Sequence, residues 1–121
     1  MAKPMATETA TPLDEKTYRQ LLDQTFERID AAFETVDPDL AEVALALGTL
    51  TITFPGNLRM MLTPQPSPRQ LWVAFRDRAW HFDYDAKQAR WLDDRGQGIE
   101  VCKLIEDTTR EMAGAAISIR H

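Results

Sequence analysis

The chain has 121 residues, 44% hydrophobic and 27% charged, with one cysteine and a net charge of −5. That fits one ordinary globular domain, large enough to bury a core without staples, and excludes wholesale disorder, an intramolecular disulfide and a cysteine-ligated cluster. The acid excess argues against nucleic acid and for a cation or a basic protein surface, while no apolar run approaches the ~20 residues of a membrane span; a reducing cytoplasm suits the lone thiol.

Residues 1–13, rich in Ala, Thr and Pro, read as a disordered tail without a signal or transit pattern, ahead of one domain over 14–121. From Asp14 to Val36 the apolar residues Tyr18, Leu21, Leu22, Phe26, Ile29, Phe33 and Val36 recur every three or four positions, which predicts a one-sided helix. Asp14 and Glu15 suit its first turn, and Asp37-Pro38-Asp39 ends it. The period then falls to two. Val43, Leu45 and Leu47 alternate with smaller or polar neighbours, Gly48-Thr49 offers a turn, and Leu50, Ile52 and Phe54 alternate with Thr49, Thr51 and Thr53. Pro55-Gly56-Asn57 is a second turn, Leu58 to Thr63 a third strand, and Pro64, Pro66 and Pro68 hold the next connection open. Arg69 to Phe75, Arg78 to Tyr84 and Gln88 to Asp93 are three more strands, and they contain all three tryptophans. After Gly96 and Gly98, Val101, Leu104, Ile105, Thr108 and Met112 form a second helical stripe that ends near Gly114, and Ala115 to Ile119 packs back onto the body. The expected fold is α+β, a two-layer α-β sandwich: two helices on one face of an antiparallel sheet of about six strands, the other face open to water.

The charge is uneven. Residues 14–42 hold nine acids against three bases, a net of −6, whereas residues 57–95 carry a net of +2. Asp23, Glu27, Asp30 and Glu34 lie four, three and four residues apart and so form one row on a helix; Asp37, Asp39 and Glu42 continue it. Like charges at these spacings cost an isolated helix roughly 0.2–0.5 kcal/mol per pair, so stability gives no reason for the row. Carboxylates suit hard cations, in an open and hydrated site where no histidine joins them. A solvated helix face is the plain alternative. Trp72 shares a strand face with Gln70, opposite Leu71 and Val73, which puts an aromatic anchor on the open side of the sheet. His81 points to the same wet face as Asp83, Cys102 is a small core hydrophobe, and Trp80 and Trp91 are core. No nucleophile motif, phosphate loop or other catalytic constellation is present.

The acidic first helix, Thr49-Leu50-Thr51-Ile52-Thr53-Phe54, Gln70-Leu71-Trp72, Trp80-His81-Phe82-Asp83 and Trp91 to Arg95 together resemble the frataxin family, and most closely its bacterial (CyaY-type) branch. The likeness runs from about Tyr18 to Ile119. It implies a non-enzymatic protein of iron–sulfur cluster assembly that binds iron (Fe2+/Fe3+) weakly and acts as regulator of the cysteine desulfurase, as iron donor, or both. By the same resemblance Asp23, Asp30, Glu34, Asp37, Asp39 and Glu42 are the metal contacts, with Glu27 next to them in the row, and Gln65, Arg69, Gln70 and Trp72 are the partner-binding surface. The implied partners are the desulfurase and the iron–sulfur scaffold machinery, with the protein a monomer without iron. Ala44 and Ala46 stand where bacterial members often carry acids, and Thr63 and Phe75 replace the family's usual Asn and small residue.

Two other functions compete. An iron-storage or ferroxidase protein would consume oxygen rapidly on Fe2+ addition, and a metal-independent acidic interaction module would bind its partner unchanged in a chelator.

Overall fold

The computed structural model describes residues 13–120. The expected tail therefore falls, apart from Leu13, outside the described residues. Asp14 caps the first helix: its Oδ1 accepts the Thr17 N–H at 2.7 Å, which satisfies a donor that the helix itself leaves unpaired. That helix, α1 (Glu15–Ala32), buries Tyr18, Leu22, Thr25, Phe26 and Ile29. It stops four residues short of the expected Val36. The Phe33 and Glu34 N–H groups donate to Asp30 and Ala31, three residues back, tightening the chain into turns that bury Phe33 and tuck Val36 against the core. Glu34 consequently sits beyond the helix, not on it.

Six strands follow, β1 (Glu42–Ala46), β2 (Thr49–Phe54), β3 (Leu58–Gln65), β4 (Gln70–Phe75), β5 (Arg78–Asp85) and β6 (Arg90–Asp93), before helix α2 (Val101–Ala113). They form one antiparallel meander in sequence order, the topology expected when short turns join consecutive strands. The first hairpin turns at Leu47-Gly48, one residue earlier than anticipated; both have positive φ, 54° and 81°. Leu47 therefore leaves the strand alternation altogether. Pro64 lies within β3 and not in the connection. It is tolerated because β2 pairs with β3 only as far as Leu62, so no ladder bond is sought from its nitrogen on that side.

One sheet face presents Leu50, Ile52, Phe54, Met60, Leu62, Leu71, Val73, Phe75, Trp80 and Phe82 to the helices, all buried. Trp91 anchors β6 beneath α1 at 2% exposure, its indole N–H donating to Thr25 Oγ1 at 3.0 Å. Tyr18, wholly buried, donates to the Gln70 carbonyl at 2.6 Å and so fixes the start of α1 to the start of β4. For α2 the cap is Glu100, whose carboxylate accepts the Cys102 and Lys103 N–H groups at 2.7 and 3.1 Å. Gly114 closes the helix at φ 67°, a left-handed value that favours glycine. Ile119 packs back into the core, and its N–H donates to Glu106. The two-layer sandwich with one open sheet face is as expected.

Candidate functional site

The seven acids of the expected row are all exposed, and none takes part in an ion pair formed among the described residues. Asp23, Glu27 and Asp30 share one flank of α1, since spacings of four and three return to the same side of a 3.6-residue turn. Thr25, which binds Trp91, lies about 200° around the helix from Asp23, so the row is turned away from the sheet. Glu34, Asp37 and Asp39 occupy the connection to β1. There Asp37 Oδ1 accepts the Asp39 N–H at 2.9 Å and the Asp37 carbonyl accepts those of Leu40 and Ala41, which gives the segment a defined shape. Glu42 opens β1 opposite Thr53. The row is thus a helix flank continued by a folded loop. Among the described residues no three His, Cys, Asp or Glu side chains converge on one point to hold a metal ion. A cation here would take one or two carboxylates and keep most of its water.

The open sheet face carries a second arrangement. Trp72, 36% exposed, stands opposite His81 in the β4–β5 register, and the two rings stack with centroids 4.2 Å apart and planes 14° from parallel. The Trp72 indole N–H donates to Gln70 Oε1 at 2.8 Å; the Gln70 amide in turn donates to Asp83 and Asp94, at 3.0 and 3.1 Å. Asp94 also lies 3.6 Å from His81 Nδ1. It is held there because its N–H donates to the His81 carbonyl, while Asp93 gathers the backbone N–H groups of Arg95, Gln97 and Ile99. Burial raises the Asp93 carboxyl, but those three donors outweigh it and hold the group below its ordinary range. Trp72 is therefore an exposed aromatic fixed on two sides. A ring pre-positioned in this way loses little freedom when a partner covers it.

Of the expected partner residues, Gln70 and Trp72 are joined directly, and Gln65 pairs with Gln70 across the β3–β4 turn. Arg69 is turned elsewhere. Its guanidinium donates to the Leu13 and Pro66 carbonyls and lies 6.0 Å from the Tyr18 ring centroid, so it clamps the start of α1 to this turn. His81, Asp83 and Asp94 are members that sequence reasoning left out; the signal for His81 was its register opposite Trp72 across a two-residue hairpin. Cys102 is buried, and desolvation together with the nearby Glu100 carboxylate pushes its thiol far up.

A helix whose acidic flank forms no ion pair among the described residues, laid over a six-stranded meander whose open face carries a fixed tryptophan, defines a small α-β sandwich. The sequence profile of the frataxin-like domain matches residues 11–115. The chain is 34% identical over 105 residues to a protein of Stutzerimonas stutzeri named iron-sulfur cluster assembly protein CyaY, covering 87% of this chain and 94% of that one. A protein of the same name from Pseudomonas syringae pv. syringae is 33% identical over 107 residues, again covering 87% and 94%. The fold superposes on the frataxin of Psychromonas ingrahamii with a TM-score of 0.81 at 21% identity, covering 90% of this chain and all of that one. For the trimeric yeast frataxin the TM-score is 0.65 at 17% identity, with 95% and 94% covered. The chain belongs to the frataxin family.

Proposed function

We propose that this protein serves iron–sulfur cluster assembly as a non-enzymatic, iron-binding regulator of the cysteine desulfurase, an iron donor to the same machinery, or both. The observation that carries the reading is the run of seven exposed carboxylates from Asp23 to Glu42, none of them in an ion pair among the described residues. Carboxylates without a cationic partner among the described residues are available to charges on another molecule, and steering of this kind raises association rates and weakens with salt. Iron is the cargo, held loosely by Asp23, Glu27, Asp30, Glu34, Asp37, Asp39 or Glu42 in ones and twos. The Gln70–Trp72–His81 platform, with Gln65 at its edge, is the surface offered to the scaffold. Its position on the open sheet face leaves the acidic flank of α1 free for the desulfurase.

The test is the affinity for the organism's desulfurase as a function of salt, for the wild type and for Asp23→Asn/Glu27→Gln/Asp30→Asn. The reading expects affinity to fall as salt rises, and the triple variant to bind more weakly with a shallower slope. Salt-independent binding would sink it. In parallel, an anaerobic Fe2+ titration should broaden amide signals within residues 23–42. A second reading, a metal-independent docking module, is favoured by the lack of convergence among the described acids. It expects desulfurase binding without any amide broadening by Fe2+.

A further inference from the structure

We propose that the free edge of β1 is a self-association edge, through which two copies of this chain join antiparallel about Ala44, with Leu47 as the apolar anchor. The proposal stands on the β1 edge and on Leu40 and Leu47 that flank it, shares only Glu42 with the acidic row, and requires neither iron nor the desulfurase.

Leu47 is anomalous on two counts. It holds φ 54° at the first central position of a two-residue hairpin, a place where a leucine is strained and an Asn or Gly is at ease. Its side chain is also fully exposed, so no contact within the fold offsets that strain. Leu45 is 62% exposed although it pairs with buried Leu50 and points to the helix side; β1 simply lies beyond the reach of the helix layer. Leu40, just ahead of the strand, is exposed as well.

The backbone agrees. A two-residue hairpin makes its flanking pair, Ala46 and Thr49, a hydrogen-bonded one, so Ala44 and Glu42 also bond inward to β2. Val43 and Leu45 then turn their N–H and C=O groups out of the sheet. The opposite edge is closed, since Leu92 bridges to Glu100 and the Asp93 N–H donates to Ile99. Among the described residues the β1 edge has no such cover, and β1 itself contains no Lys, Pro or bulge.

One two-fold register uses all of this. Centred on Ala44, it sets Val43 against Leu45 of the second copy, the pair whose backbone groups face outward on both chains. It brings Leu47 alongside Leu40 and Ala41 of the second copy, covering the exposed apolar side chains of this edge together. Residues 43–58 contain no charge, so Glu42, Asp39 and Asp37 of each copy meet an uncharged hairpin tip and not one another. Two five-residue strands bury less than the ~1,200 Å² of a stable interface, so the dimer is weak and concentration-dependent. The metal-free monomer expected from sequence is then its dilute state.

Sedimentation velocity on the full chain in a chelator, from about 5 to about 500 µM, tests this by mass action. The mass should climb from 13.8 kDa toward twice that value and no further, because an isologous pair is closed. Raising salt should strengthen the association of two net-negative chains. Leu45→Lys, at an exposed edge site, should weaken it about tenfold or more. Leu47→Asn should do the same while raising the thermal midpoint, since Asn accepts the left-handed turn. A monomer throughout the range, a dimer indifferent to both substitutions, one that dissociates as salt rises, or assemblies larger than two would each overturn the proposal. So would a Leu47→Asn protein that loses thermal stability along with association, because Leu47 would then be a structural residue of the hairpin.

Discussion

Thr25→Val isolates the hydrogen bond that fastens the acidic helix to the sheet. Trp91 is 2% exposed and its indole N–H has Thr25 Oγ1 as acceptor at 3.0 Å. Valine has nearly the volume of threonine and a similar helix propensity, so the change opens no cavity and leaves α1 otherwise as willing to form. The Thr25 hydroxyl also donates to the Leu21 carbonyl, which keeps its ordinary helical donor when the hydroxyl is gone. What remains is one indole N–H buried without an acceptor, which costs roughly 1–3 kcal/mol. At roughly 2.1 cal/mol/K of unfolding entropy per residue, each kcal/mol moves the midpoint of a domain of this size by about 4–5 °C, so a fall of ~4–15 °C is expected. Urea denaturation should show the same loss as a lower midpoint with an unchanged slope, and Thr25→Ser should restore most of it. Thr25 lies on the far side of α1 from Asp23, so desulfurase binding well below the midpoint should match that of the wild type. A Thr25→Val protein within ~0.5 kcal/mol of wild type would refute the reasoning, because the bond would then be replaceable by water or by relaxation.

His81→Phe should keep the ring stack beneath Trp72 and leave its indole N–H resonance near the native position, whereas His81→Ala should shift and sharpen it; identical spectra for all three proteins would mean that the stack does not hold Trp72. Asp14 and Asp93 are both held below the ordinary carboxylate value of 3.8, Asp14 by the Thr17 N–H and Asp93 by three backbone donors that outweigh its desolvation. Their stabilising contribution is therefore complete above the unfolded value and is lost as pH falls through the folded ones, so Asp93→Asn should flatten the stability curve below about pH 4; an acid limb as steep as that of the wild type would contradict this. Cys102 should resist iodoacetamide at neutral pH in the folded protein and react after denaturation, since burial and Glu100 disfavour its thiolate; rapid labelling of the native state would show that α2 opens readily.

Alternation and the 3.6-residue period located both helices and all six strands, because each element has one wet and one dry face. They do not say how far sideways the dry layer reaches. Val43, Leu45 and Leu47 alternate like core residues, yet only Val43 is packed on the core, since β1 lies at the margin of the helices. The end of α1 was misplaced for a related reason: Phe33 and Val36 continue the stripe, but tertiary burial is reached through turns at Phe33 and Glu34 instead of another helical turn. Asp23, Glu27 and Asp30 remained legible as a row because their helix persists through them. The Gln70–Trp72–His81 platform was half legible, as period two puts Gln70 and Trp72 on the wet face. Its completion by Asp94 depends on the loop shape imposed by Asp93, which leaves no periodic trace. Glu100 escaped notice as a cap because glutamate is not among the favoured capping residues.

On the proposed function, iron and the desulfurase address the same carboxylates, and their affinities are therefore coupled. Along α1 neighbouring acids of the row lie ~5–6 Å apart at Cβ, so two of them reach one cation and water supplies its remaining ligands. Each bound Fe2+ cancels two negative charges of a segment whose net charge is −6, and a basic patch facing it loses that attraction. Iron should thus weaken desulfurase docking, by roughly fivefold or more at low salt, and by reciprocity the docked desulfurase must loosen iron by the same factor. Raising salt should shrink both effects together, since both are the same screened Coulomb term. Anaerobic calorimetry of docking with and without Fe2+, and of Fe2+ binding with and without desulfurase, gives the two ratios independently. Unequal ratios would indicate a reaction other than equilibrium binding, and two ratios of one would place iron and desulfurase on separate surfaces. Equal ratios above one would make docking itself the event that releases the metal.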